Sequence, residues 1–207
     1  LTLREGERAS HYAAAAKEVL PDFAEQEFLA AALPYEGKLF PDTYLIPSSY
    51  TANDLLTLLL QTYEEKTAPL RDSFTAHPLT ESEILVLASI LEREANSVES
   101  MGMVSGILLN RLAIGMALQV DASLEYVLDK PLKDLTPEDL EMNSPYNTYK
   151  NAGLPPTPIG NPGLAAIMAV LEPTPSPYYF YITGDDGNFY YAKDFDGHRL
   201  NIARYLR

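Results

Sequence analysis

Cysteine is absent from the 207 residues, which removes disulfides, cysteine-ligated zinc and thiol nucleophiles together. Cations are scarce: 15 Lys and Arg stand against 29 Asp and Glu, a net charge of −14. A chain this acidic repels phosphate backbones and anionic lipid, so nucleic acid is not expected as a partner. Long apolar runs are missing too. The longest, Ile84–Leu91, is about half a membrane span and is interrupted by Ser89. The three histidines, His11, His77 and His198, are scattered and form no His-Glu-x-x-His pair, which argues against a zinc hydrolase. No Gly-x-Ser-x-Gly elbow, P-loop or Gly-x-Gly-x-x-Gly occurs, so no cofactor and no metal is expected. Leu1-Thr2-Leu3-Arg4 reads as the inside of a folded pattern rather than a signal peptide, and further protein is expected before it.

What is present is ordinary globular material, 46% apolar and 21% charged, long enough for one domain with a proper core. An Ala-rich helix is expected from Ala9 to Val19, ended by Pro21, and another from Phe23 to Leu33, ended by Pro34. Residues 36–47 carry too much Pro and Gly for a helix. Thr51 caps a helix running towards Pro69, and Thr80 with Glu83 forms a capping box for the next. Further helices are expected at 100–112, 121–128, from Thr136-Pro137-Glu138 onward, at 163–171 and at 199–206. Residues 143–162 form a long ordered loop anchored by Tyr146, Tyr149 and Leu154. Tyr178–Thr183 and Phe189–Ala192 flank Gly184-Asp185-Asp186-Gly187-Asn188 as a β-hairpin. The fold class is therefore α+β, mostly helical, a single domain over residues 1–207 with a small hairpin near the C-terminus.

The inventory leaves carboxylate chemistry. On the helix from Glu81 to Asn96, about 100° per residue places Ile84, Leu87, Ala88, Leu91 and Ala95 on one face. Ser89, Glu92, Arg93 and Asn96 fall on the other. Glu94 lies outside the polar cluster, with Leu91, Ile90 and Leu87 as its neighbours along the helix. Apolar surroundings disfavour a charged carboxylate, so Glu94 is the candidate general acid and Glu92 the solvated control. The alternative is a Glu94 that reaches water at the helix end or pairs with a cation. Ser144-Pro145-Tyr146-Asn147-Thr148-Tyr149 offers aromatic planes and amides suited to sugars, or else a turn with two buried tyrosines. Glu36 and Asp42 are possible second carboxylates.

These residues fall in blocks that resemble the YceG-like endolytic murein transglycosylases, the MltG family. Ala88-Ser89-Ile90-Leu91-Glu92-Arg93-Glu94-Ala95 is similar to that family's active-site helix. Glu36-Gly37-Lys38-Leu39-Phe40-Pro41-Asp42-Thr43-Tyr44 is similar to its Glu-Gly-aromatic-Leu-Phe-Pro-Asp-Thr-Tyr. Asn110-Arg111-Leu112 and Gly115–Asp121 follow, then Ser144–Tyr149 with Gly153-Leu154-Pro155-Pro156 and Ile159-x-Asn161-Pro162-Gly163. His198 and Asn201 match a His-x-x-Asn helix. Lys38 stands where that family prefers an aromatic, Ala122 where it usually has proline and Thr157 where glycine is common.

The resemblance implies a lysozyme-like fold and cleavage of peptidoglycan glycan strands between MurNAc and GlcNAc, leaving 1,6-anhydro-MurNAc ends. It makes Glu94, the second Glu of the pair, catalytic. Gln119, Asp121, Tyr146, Asn147, Thr148 and Tyr149 become the expected substrate-binding residues. It further implies a role in cell wall synthesis and remodelling, peptidoglycan synthases as partners, and the extracytoplasmic face of the bacterial plasma membrane. There, family members are anchored by an N-terminal helix and carry a LysM-like module, both absent from this sequence. Two rivals stand beside it. A two-carboxylate glycan hydrolase would pair Glu94 with Glu36 or Asp42, and a non-catalytic glycan-binding module would use Tyr146 and Tyr149.

Overall fold

The computed structural model describes residues 1–131 and 134–206 and resolves into two compact units. The first is Leu1–Arg93 with Pro156–Leu171, the second Glu94–Pro155 with Glu172–Arg207.

The first unit is helical: α1 (Ala9–Val19), α2 (Glu25–Ala32), α3 (Ala52–Thr67), α4 (Arg71–Ala76), α5 (Glu81–Glu94, its last residue counted with the second unit) and α8 (Leu164–Leu171). Its helix starts follow the sequence. Thr51 and Asp54 cap α3 reciprocally, and Thr80 and Glu83 do the same for α5, with Thr80 N–H donating to Glu83 at 2.8 Å. Each box satisfies amide donors that the first helical turn leaves open.

α5 does not have the two faces that its spacing predicts. Every residue from Ile84 to Leu91 is buried, Ser89 included. A helix at the centre of a unit is covered all round, and a polar residue survives there only by being bonded. Ser89 donates to Val86 O at 2.7 Å and accepts from Ile159 N at 3.0 Å.

Two of the sequence blocks meet in this unit. Asn161 accepts from Gly37 N at 2.7 Å and Leu39 N at 3.1 Å, and donates to Glu7 O and Glu36. Gly37 sits at φ +92°, and a Cβ there would lie 2.5 Å from Pro158, so only glycine fits. These blocks are a clamp that ties residues 36–39 to 158–161.

The second unit holds α6 (Val98–Ala113), α7 (Ala122–Leu128), the hairpin of β1 (Phe180–Thr183) and β2 (Phe189–Ala192), and α9 (Phe195–Tyr205). The strands are antiparallel, pairing Phe180 with Ala192, Tyr181 with Tyr191, Ile182 with Tyr190 and Thr183 with Phe189. α9 covers the hairpin through Phe180–Phe195, Phe180–His198 and Tyr190–Tyr205 ring contacts. It starts four residues before the expected Arg199, because Asp194 accepts from Gly197 N and caps it there. On α6, Gly102 and Gly106 let residue 174 approach: a Cβ at 106 would lie 2.2 Å from Thr174 O. The helix expected from Thr136 is instead a single 3-10 turn, Asp139–Glu141, although Thr136 N–H donates to the Asp139 side chain, as in a helix cap, and Lys130 pairs with it. Among the described residues, no helix is long and apolar enough to cross a membrane.

Candidate active site

Glu94 ends α5 and opens onto a cleft of about 400 Å3, all of whose lining residues belong to the second unit. Its carboxylate accepts from the Tyr181 hydroxyl at 2.8 Å. The aliphatic residues one and two turns earlier on α5, Leu87, Ile90 and Leu91, are fully buried and do not line the cleft. Tyr181 and Arg111, far from α5 in the chain, are among the groups around Glu94.

Arg111, from α6, is 5% exposed. Its Nε donates to Tyr179 O at 2.6 Å, and Nη1 donates to Leu118 O. The guanidinium lies over the Phe180 ring, 5.2 Å from its centroid. Burial pulls the Arg111 pKa down, and the neighbouring Tyr181, Tyr149 and Glu94 partly offset it. An arginine stays protonated throughout the working range, so the cleft contains a fixed, poorly hydrated cation.

Beside Arg111, the turn that carries Gln119 and Asp121 also lines the cleft. Gln119 holds φ at +52°, a left-handed conformation that costs a side-chain-bearing residue about 1–2 kcal/mol. The turn is held in place by Thr148, whose carbonyl accepts from Gln119 N and whose hydroxyl accepts from Val120 N, each at 3.0 Å. The Tyr149 hydroxyl donates to Asp121. Burial, that bond and the Asp121 and Glu94 charges all raise the Tyr149 pKa, and burial with the Glu94 charge does the same for Tyr181. Both phenols are therefore neutral donors. His198 stacks on Phe180 at 5.2 Å, and burial, assisted by Arg111, lowers its pKa, which leaves it a neutral imidazole near pH 7.

Of the residues singled out in the sequence, Glu94, Gln119, Asp121 and Tyr149 come together in this cleft. Asn147 and Thr148 do not line it; they are 0% and 1% exposed. Asn147 donates to Leu140 O and Met142 O at 2.9 and 2.8 Å and accepts from Tyr149 N at 3.0 Å. These two residues shape the loop that presents Tyr149. Tyr146 packs on Tyr126, ring centroids 5.2 Å apart.

The proposed second carboxylates lie in the first unit. Both Glu36 oxygens accept from Ala9 N at the start of α1, and Asp42 pairs with Lys66 at 2.9 Å. Lys38, the departure from the aromatic position, is bonded to Glu81 at 2.6 Å. The carboxylate that does share the cleft with Glu94 is Asp121.

Glu92 is not the solvated control that the helical wheel predicts. It accepts from Gly163 N at 2.9 Å, where α8 begins, and burial, with Glu5 adding to it, pushes its pKa up to about 7. The wheel fails at Ser89 and Glu92 because protein covers that part of the polar stripe, whereas Arg93 and Asn96 do meet water. Arg111 and Tyr181 were missed as site residues. Arg111 sits inside a recognised block, but nothing local to Tyr181 marks it, since its partner is 87 positions away.

The model of the YceG-like family matches residues 1–204, and the chain belongs to that family. It is 33% identical over 177 residues to the endolytic murein transglycosylase of Streptococcus pneumoniae (strain D39), covering 83% of this chain and 32% of that protein. It is 29% identical over 174 residues to that of Bacillus subtilis, covering 84% of this chain and 48% of the other. The chain thus spans less than half of these relatives' length. The crystal structure of a putative YceG-like protein from Listeria monocytogenes superposes with a TM-score of 0.89 at 29% identity, covering 97% of this chain and 75% of the other.

Proposed function

We propose that this protein is an endolytic peptidoglycan lytic transglycosylase with Glu94 as its single acid and base. The observation that carries the reading is a carboxyl group at a helix end, bonded by Tyr181, in an open cleft with a buried cation. The names of the S. pneumoniae and B. subtilis relatives point to the same chemistry.

The glycan strand lies in the cleft with the MurNAc–GlcNAc bond at Glu94. Protonated Glu94 gives its proton to the glycosidic oxygen as the C1–O bond breaks, with oxocarbenium-like charge growing on MurNAc. Arg111 then faces, and Tyr181 donates to, the carboxylate that remains. That carboxylate takes the proton of the MurNAc C6 hydroxyl, whose oxygen bonds to C1 and closes the 1,6-anhydro ring. The proton on Glu94 is restored and water is not consumed. Gln119, Asp121 and Tyr149 form the substrate wall, and Asn147 and Thr148 act behind it.

The lysozyme-like fold belongs to the same proposal, supported by an acid at a helix end bonded by a tyrosine from a small hairpin. So do the action of residues 1–207 as one catalytic domain, a place in wall synthesis and remodelling beside peptidoglycan synthases, and the extracytoplasmic face of the membrane. Mass spectrometry of digested peptidoglycan tests the chemistry. Anhydro ends, one water lighter than hydrolysed ends, are expected. Reducing ends would instead favour a two-carboxylate hydrolase, for which Asp121 is the partner the cleft supplies, and no product would leave a binding module.

A further inference from the structure

A second cleft, about 340 Å3, lies on the same hairpin, and that volume is at the small end of small-molecule sites, roughly 300–1,000 Å3. One wall is aromatic: Phe189 and Tyr191 are stacked at 6.3 Å and 17°, with Tyr178 stacked on Tyr191 at 5.7 Å. The other wall is the start of α6, with Asn96, Ser97 and Glu99. Ser97 is committed to the α6 cap through Ser100, so the exposed Asn96 and Glu99 supply the free polar surface.

Two short connections tie this cleft to Glu94. Along the chain, Asn96 follows Glu94 by two residues. Across the hairpin, Tyr181 and Tyr191 are register partners, so their side chains leave the same face with Cβ atoms about 5 Å apart. Tyr181 meets the acid and Tyr191 lines the second cleft. One β-pair therefore borders both places.

We propose that this second cleft is a subsite for a neutral N-acetylhexosamine residue of the glycan strand whose scissile bond lies at Glu94, a step that rests on the transglycosylase reading. Stacked rings suit the C–H face of a pyranose, and Asn96 suits its hydroxyl and acetamide groups. Glu99, whose charge reaches Tyr191, disfavours an anionic occupant, and a muramic residue brings on O3 either a free lactyl carboxylate or, amide-linked to it, a stem peptide for which a cleft of about 340 Å3 leaves no room beside the sugar. The occupant is thus the GlcNAc position of the repeat. The cleft sets which register of the strand is presented to Glu94.

The test is a titration of the full 207-residue chain carrying Glu94→Gln with chitin oligosaccharides of one to six units, followed by amide NMR. Saturable shifts at Asn96, Ser97 and Asn188–Tyr191 are expected. Phe189→Ala should weaken that binding about tenfold, the scale of one lost ring contact, whereas Phe189→Tyr, which keeps the ring, should retain it and serves as the control for folding. Shifts confined to the Glu94 cleft, or equal affinity in Phe189→Ala, would overturn the subsite. Absence of anhydro product from the wild-type chain would instead overturn the transglycosylase reading, and the titration does not depend on turnover.

Discussion

The Tyr181 hydroxyl donates to the Glu94 carboxylate at 2.8 Å across 87 residues of chain. One partner ends a buried helix and the other sits in the first strand of a hairpin. Glu94 is thereby held by a neutral donor whose own proton burial and the Glu94 charge keep in place. A carboxyl group that must give and retake a proton works best when its orientation does not drift between the two steps.

Glu94→Gln keeps the side chain's shape and loses the proton. Release of anhydro ends from peptidoglycan should fall by about two to four orders of magnitude, with the melting temperature within a few degrees of wild type. Near-normal turnover in a folded Glu94→Gln protein would remove Glu94 from the mechanism.

Tyr181→Phe deletes one charge-assisted hydrogen bond and leaves the ring. A bond of that kind is worth about 1.5–3 kcal/mol, so kcat should drop by about one to two orders of magnitude with KM nearly constant. A change confined to KM would show that Tyr181 holds substrate rather than the acid.

Asn147→Ala should act on stability first. Its amide joins two carbonyls to the Tyr149 amide in a fully buried position, and stranding such groups costs about 1–3 kcal/mol each. A melting temperature lower by several degrees, with normal activity per folded molecule, is expected. Unchanged stability with lost activity would instead place the amide on the sugar.

Gln119→Gly relieves a left-handed backbone at φ +52°, and the gain is offset by the looser unfolded chain, so stability should move by no more than about 1 kcal/mol. Activity should nevertheless fall, since the side chain lines the cleft. Full activity would make Gln119 a turn residue only.

Glu92 carries a pH signature. Its folded pKa, raised by burial to about 7, lies above the ordinary value near 4.3. Below that ordinary value both states are protonated. As pH climbs towards 7 the unfolded chain ionises first, stability declines, and above 7 the decline levels off. Glu92→Gln keeps an acceptor for Gly163 N and removes the ionisation, so at pH 8 it should be more stable than wild type, by about 1–2 kcal/mol after allowing for partial exposure. At pH 4 the two should melt together. Destabilisation at pH 8 would show that the carboxylate itself is needed at the start of α8.

The sequence by itself determined the parts of this protein whose causes are local. The caps at Thr51 and Thr80, the breaks at Pro21 and Pro34, and the hairpin about Gly184–Asn188 depend on side chains within a few residues of the backbone they satisfy. Glu94, Gln119, Asp121 and Tyr149 were also legible, as members of blocks. What only the tertiary structure decided was the environment of each polar group. Ser89 and Glu92 share the polar stripe of α5, yet Ser89 is sealed by Val86 and Ile159 and Glu92 is half-buried against Gly163. Asn147 and Thr148 read as cleft residues but spend their polar atoms on the chain, while Tyr181, unmarked by any spacing, reaches the acid. Periodicity reports which side of a helix or strand a residue occupies. Whether that side meets water, a carbonyl or a carboxylate depends on segments dozens of residues away, and those contacts form only when the chain packs.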